Sequence, residues 1–274
     1  MATSTETGSL LLGNVVLVTG GASGIGRATA LAFAARGAKV MLIDKDGASN
    51  ERALGVIRQR GGEARAVLAD VTKSADVAAY VEAALDAYGR IDCFFNNAGI
   101  EGKLAEIADC DEANFDAVMA VNVKGVFLGL RHVLPVLLKQ RSGAVVNTAS
   151  VAGLVGTPGM SAYVASKHAV LGITKCAAGE VARSGVRVNA VCPGPIDTRM
   201  IHTLESQINP SDPRAVGQRY QSTIPIGRYG TAEEVANVVL FLCSDLAGNI
   251  TGAQYVVDGG RTAVGGAVTS VPRR

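Results

Sequence analysis

Histidine and cysteine are scarce in this chain of 274 residues, at three and five, and what so few can build narrows the field first. His132 and His168 fall in stretches of helical period and His202 in an expected loop, so no spacing assembles a metal-ligand cluster, and no metal is expected. Cys93, Cys110, Cys176, Cys192 and Cys243 are odd in number, scattered, and lack any Cys-x-x-Cys pair. They read as reduced thiols filling space in a large intracellular domain. Neither sign of charge accumulates: 26 basic and 24 acidic residues leave a net +2. With no run of one sign, nucleic acid is excluded as an expected partner. No apolar stretch reaches the roughly 18 residues that a bilayer demands. The opening nine residues are Thr/Ser-rich, without the basic start and apolar centre of a signal peptide. The expectation is a soluble cytoplasmic protein with no membrane partner.

What is plentiful is apolar material, 48% of the chain, enough for one extended core. Short β-branched runs alternate with longer Ala-rich stretches of helical period. Val15-Val16-Leu17-Val18-Thr19 precedes a helix over about 24–36, and Lys39-Val40-Met41-Leu42-Ile43 completes a βαβ unit. Strands follow at 64–69, 91–95, 144–148, 186–191 and 254–257, with helices at about 47–60, 74–88, 112–139, 161–183 and 231–244. This order predicts an α/β fold, a doubly wound sheet of seven mainly parallel strands covered by helices on both faces, in one domain over 11–260. Short tails, 1–10 and 261–274, flank it. Residues 193–220 carry Pro193, Pro195, Pro210 and Pro213, which interrupt any long helix and predict a mobile lobe over the strand ends.

The turn after the first strand, Thr19-Gly20-Gly21-Ala22-Ser23-Gly24-Ile25-Gly26, has the character of a dinucleotide-binding loop. Glycines allow a tight turn and close backbone approach, while the start of the next helix attracts a pyrophosphate. Asp44 ends the second strand, where its carboxylate can accept from both adenosine ribose hydroxyls and would repel a 2′-phosphate. NAD is therefore expected over NADP. Lys45 is the complicating neighbour, although Ser23 occupies the turn position where a basic residue would help bind that phosphate.

Thr19-Gly20-x-x-x-Gly24-x-Gly26, Asn96-Asn97-Ala98-Gly99, Ser150, Tyr163-x-x-x-Lys167 and Pro193-Gly194, in this order and spacing, resemble the short-chain dehydrogenase/reductase family from about residue 11 to Gly260. The motifs are weak singly and specific jointly. The resemblance implies a catalytic group of Asn122, Ser150, Tyr163 and Lys167. It places Asp70 and Val71 at the adenine, Asn97, Ala98 and Gly99 along the cofactor groove, and Ile196 and Thr198 at the nicotinamide carboxamide, after Pro193 and Gly194. Each has a plainer alternative; Asp70, for one, could cap the helix that begins near Lys73.

Residues four apart share a helix face, so Lys167 can bring its ammonium to the Tyr163 phenol. Making a free tyrosine, pKa about 10, half phenolate at neutral pH costs about 4 kcal/mol. One exposed ion pair supplies about 0–1 kcal/mol, so a second cation is needed. In the family the oxidised nicotinamide is that cation, and the cofactor must bind before the proton moves. Tyr163 would then exchange a proton with the substrate hydroxyl. Ser150 would hold the substrate oxygen, Lys167 would also grip the nicotinamide ribose, and Asn122 would mark a helix break that holds a relay water.

Ala152, Leu154 and Val155 after the serine, with Val151 and Gly156, and Met200, Ile201 and Leu204 in the lobe are the expected substrate walls, together with Ile100 and Glu101. Most are apolar, which suits a small to medium secondary alcohol or cyclic ketone. Glu101 and His202 are the available polar exceptions, and facing solvent is the plainer alternative for both. Helix 161–183 is apolar over most of its circumference, although one face alone can meet its own sheet, so a homodimer or homotetramer is expected. The rival readings are a 3-oxoacyl thioester reductase, a sugar dehydrogenase of the same family, and a non-catalytic NAD-binding sensor.

Overall fold

The computed structural model describes residues 11–264; tail 1–10 and most of tail 261–274 lie outside them. The β-branched runs form seven strands, because side chains stiff at χ1 suit a pleated, buried surface. They are β1 Val15–Thr19, β2 Lys39–Asp44, β3 Ala64–Leu68, β4 Cys93–Asn96, β5 Gly143–Thr148, β6 Val186–Pro193 and β7 Gln254–Val257. One sheet results, in the order β3-β2-β1-β4-β5-β6-β7. Every adjoining pair is parallel.

The crossover segments supply α1 Gly24–Ala34, α2 Gly47–Gln59, α3 Ser74–Tyr88, α4 Glu112–Met119, α5 Gly125–Gln140, α6 Ser161–Val181, α7 Arg199–Ile208, α8 Pro213–Ser222 and α9 Ala232–Cys243. Strand alternation splits the core in two. Leu17, Met41, Phe94 and Val145 join Tyr80 of α3, Val133 of α5 and Val170 of α6 on one face. Val16, Val18, Leu42 and Phe95 join Phe33 of α1, Ile57 of α2 and Val239 of α9 on the other. Both faces are covered, so the strands need no polar alternation. Phe33 is fully buried, and its truncation to alanine would cost about 3–5 kcal/mol in transfer energy and cavity.

Residues 193–220 are more regular than their prolines suggest. Pro213 starts α8 at its first turn, where its missing N–H costs nothing, and Asp212 caps that helix through Ala215 N. His202 lies in α7, not in a loop. The lobe has a small core of its own, Ile201, Leu204, Ile224 and Tyr229, with Leu104 and Met160 packed on it.

Length and composition also mislead at one helix. A five-residue π turn, Ala120–Lys124, joins α4 to α5. The continuous 29-residue helix Glu112–Gln140 contains an 18-residue window of mean hydropathy 1.4, which by length and average composition alone is apolar enough to cross a membrane, although polar and charged residues such as Asn122, Lys124 and Arg131 interrupt the helix. The fold accounts for that apolarity, since Val126, Leu130, Val133 and Leu137 belong to the core beneath the sheet.

Candidate active site

The strand order reverses between β1 and β4, whose chain connections diverge to opposite sides of the sheet. A crevice opens at the carboxyl ends of strands at such a point. Gly20 there has φ +65°, and a Cβ on Gly26 would overlap the Gly20 carbonyl oxygen. Both positions require glycine. Ser23, the cap of α1, makes no side-chain capping bond, and the first turn of that helix has no acidic residue. Its leading N–H groups are therefore open to an anion, as a pyrophosphate site needs.

Asp44 is half-buried, and its carboxylate oxygens each accept one backbone N–H: Oδ2 from Ala22 at 3.1 Å and Oδ1 from Asp46 at 3.0 Å. These bonds tie β2 to the glycine turn and leave lone pairs for further donors. Lys45 is exposed, and its charge acts on Asp70. Asp70 does not cap α3. It accepts from Thr72 N at 3.0 Å and Thr72 Oγ1 at 2.8 Å; those bonds, then the Lys73 and Lys45 charges, hold it below the ordinary carboxylate value despite some burial. Val71 packs against the first residue of α5. The donor set thus fits a dinucleotide: a glycine cradle, open helix N–H groups and a carboxylate at the second strand end.

The Asn96-Asn97-Ala98-Gly99 stretch is fastened to β1. Thr19 Oγ1 accepts from Asn97 N at 2.9 Å and Ala98 N at 3.1 Å, and Asn97 Nδ2 donates to Thr19 O at 3.0 Å. Gly99 lies beside both Asn122 and the Lys167 ammonium. Across the crevice, Gly194 N donates to Val257 O at 2.9 Å. Thr198 begins α7, with its methyl toward Gly24. Ile196 points its side chain into the core, so only its backbone can face the cleft.

Tyr163 and Lys167 sit one turn apart on α6, with Nζ 5.5 Å from the phenol ring centre. Lys167 is buried and donates to Thr148 O at 2.8 Å. Burial pulls its pKa down to about 8, with the neighbouring Cys192 opposing. Burial pushes the Tyr163 phenol up to about 12; the Ser150 hydroxyl beside it lowers that value, and the Glu101 carboxylate adds to it. Ser150 stands just beyond β5, where its Oγ caps a short turn through Ala152 N at 3.1 Å and donates to Pro193 O at 3.4 Å.

Asn122 occupies the π turn and is fully buried. Its amide brackets Ile100 and donates to Ser166 Oγ at 3.0 Å. Of the expected substrate walls, Ala152 is buried, Leu154 packs on the main core, Val155 is exposed, Leu204 belongs to the lobe core, and Met200 is half-buried. Glu101 does not face solvent: its side chain is 8% exposed and pairs with Arg199 at 3.7 Å. Thr148, Ser166 and Cys192 are further members of the site that sequence reasoning passed over. Their roles run through a carbonyl, a hydroxyl that accepts from Asn122 and donates to Tyr163 O, and a thiol beside Lys167, none of which has a sequence spacing.

Among the described residues no group of His, Cys, Asp and Glu could hold a metal ion. A phenol, an ammonium and a serine hydroxyl converging beside a dinucleotide cradle can exchange a proton with an alcohol while its carbon exchanges hydride.

A family model described as enoyl-(acyl carrier protein) reductase matches residues 20–262. Levodione reductase of Leifsonia aquatica is 45% identical over 91% of this chain and 94% of its own length; the crystal structure of a levodione reductase superposes with TM-score 0.90 over 91% of this chain and 98% of that one. Cyclohexanol dehydrogenase of an Acinetobacter species is 41% identical over 91% and 95%. The structure of an NAD+-bound xylitol dehydrogenase, 36% identical, matches with TM-score 0.87 over 91% and 99%.

Proposed function

The chain belongs to the short-chain dehydrogenase/reductase family, and from that premise we propose that it is an NAD-dependent oxidoreductase interconverting a small to medium secondary alcohol, apolar or cyclic, with its ketone. The observation that carries this reading is the meeting of Tyr163, Lys167 and Ser150 beside the glycine turn. The kinship with a cyclohexanol dehydrogenase supports a ring alcohol.

A nicotinamide held in this cradle would supply hydride exchange with the alcohol or ketone carbon. Tyr163 takes the hydroxyl proton in oxidation and gives it back in reduction. Ser150 donates to the substrate oxygen and orients it. Lys167, held by the Thr148 carbonyl, favours the phenolate by its charge and grips the nicotinamide ribose. Asp44 selects NAD, a reading supported by its free lone pairs and by the absence of a basic residue at Ser23. Gly20, Gly24, Ile25 and Gly26 bind the pyrophosphate, with Asp70 and Val71 at the adenine and Pro193, Gly194, Ile196 and Thr198 at the nicotinamide. Ala152, Leu154, Val155, Met200 and Leu204 shape the substrate cavity.

A panel of ring alcohols, linear alcohols and sugars, followed by NADH absorbance, tests this reading. Ring alcohols should be turned over fastest with NAD+, and fastest turnover of sugars would overturn it. The kinship with a xylitol dehydrogenase is what favours that second outcome.

We further place the protein in the cytoplasm as a homodimer or homotetramer. Support for assembly comes from exposed apolar groups on α4, α5 and α6, where Phe115, Phe127, Ala165 and Cys176 meet solvent. A light-scattering mass of a single 28.0 kDa chain would exclude it.

A further inference from the structure

Glu101 is a carboxylate where the expected pocket is apolar, and its surroundings leave it underserved. The segment from Ile100 to Ala105 forms a roof with α7. Asn122 pins Ile100 from below, and Gln207 of α7 accepts from Leu104 N at 2.9 Å and donates to Gly102 O at 3.3 Å. Glu101 lies under that roof, 9% exposed, close enough for its charge to act on the Tyr163 phenol. Its one cation, Arg199, stands 3.7 Å away with a side chain 72% exposed, beyond hydrogen-bonding reach. Among the described residues no N–H or O–H donates to Glu101 within hydrogen-bond distance. Its carboxylate oxygens are not among the fully enclosed polar atoms, so their lone pairs stay open to a donor that enters the cleft, and a charge-assisted bond made there is stronger than a neutral one.

We propose that Glu101 is a specificity-determining residue that accepts a hydrogen bond from a second O–H on the substrate, so that the site prefers diols and hydroxyketones to equally large alcohols without that donor. The proposal rests on the reading of this site as a secondary alcohol oxidoreductase. Both ends of such a substrate are then matched, the reacting hydroxyl by Tyr163 and Ser150 and the distal one by Glu101. A methyl ether in place of the distal hydroxyl offers only lone pairs, which the carboxylate repels. Sites built to bind a substrate hydroxyl reject analogues that lack it, because the buried polar group is then left unpaired.

The test uses the full chain with NAD+ and the 1,2-, 1,3- and 1,4-cyclohexanediols, each against its monomethyl ether. In the native protein at least one diol should exceed its ether about tenfold or more in kcat/KM. Glu101→Leu, which removes the acceptor, should bring that ratio to within about twofold, and Glu101→Gln, which keeps a neutral acceptor, should hold it between the two. Equal turnover of every diol and its ether by the native protein overturns the proposal without needing a variant. A ratio that survives in Glu101→Leu overturns it as well. Binding of the same pairs to the enzyme–NADH complex, read by NADH fluorescence, separates this inference from the reaction assigned to the site. If the diol binds about tenfold tighter than its ether and Glu101→Leu abolishes that preference while no alcohol is oxidised, the selectivity stands and the assigned reaction fails.

Discussion

Asn122 holds Ile100 from both sides: its Oδ1 accepts from Ile100 N and its Nδ2 donates to Ile100 O, each at 2.9 Å. A side-chain amide thus does for one residue what a neighbouring strand would do. It can reach because the helix widens into a π turn at that point, a distortion that recurs at functional sites. Asn122→Ala would leave the Ile100 N–H and C=O without partners, at about 1–3 kcal/mol for each polar group so orphaned, while Ser166 Oγ would keep its bond to Tyr163 O. The expected outcome is a fall in thermal midpoint together with a lower kcat, since Gly99 and Glu101 flank the released residue. A midpoint within a degree of the native protein would show that the clamp contributes nothing.

Tyr163→Phe should abolish alcohol oxidation and leave NAD binding nearly unchanged, because the ring keeps its packing and loses only its exchangeable proton. Calorimetric titration with NAD+ checks binding, and NADH absorbance checks turnover. A variant that keeps most of its rate would remove Tyr163 from the chemistry.

Cofactor choice should turn on Asp44. Its carboxylate accepts the Ala22 and Asp46 N–H groups, so Asp44→Ala costs both a turn anchor and the repulsion of a 2′-phosphate. The ratio of kcat/KM for NAD+ over NADP+ should fall by about tenfold or more, and an unchanged ratio would mean that selection lies elsewhere.

Gly26→Ala should be severe for a reason of space alone. The added methyl would enter the Gly20 carbonyl oxygen and crowd Asn97 Nδ2 at 2.7 Å, so backbone must shift. Overpacking of this kind costs about 1–3 kcal/mol or more. Urea unfolding should show that loss together with weaker NAD binding.

In the lobe, His202 bridges two carboxylates, with Nδ1 2.9 Å from Glu205 Oε2 and Nε2 2.9 Å from Asp197 Oδ1. Hydrogen bonds that it donates to Glu205 and then Asp197 raise its pKa above the ordinary 6.5. A raised folded value means that the bridge's contribution is complete below the unfolded pKa and is lost as pH rises through the folded one. Hydrogen exchange in α7 should therefore quicken with rising pH more than intrinsic exchange does. His202→Gln should remove that excess, and an excess that persists in the variant would assign it to another group.

The alternation of apolar runs with helical periods was enough to reach the sheet and its helices, because covering both faces of a parallel sheet demands that pattern wherever the strands end up in space. The glycine turn, Asp44 and the Tyr163–Lys167 pair were legible for a similar reason: each depends on spacing within one element or one turn, and local geometry follows local sequence. Tertiary structure alone decided the rest. For Glu101 the sequence left a pocket wall and the surface both open until α7 was folded over it, and His202 looked like a loop residue until Asp197 and Glu205 bracketed it on a helix. The apolarity of Glu112–Gln140 suits a bilayer by composition, and only its burial against the sheet gives it another cause. Burial and pairing depend on which segments meet, and the partners here, Glu101 with Arg199 and Lys167 with Thr148, come from segments that periodicity treats as unrelated.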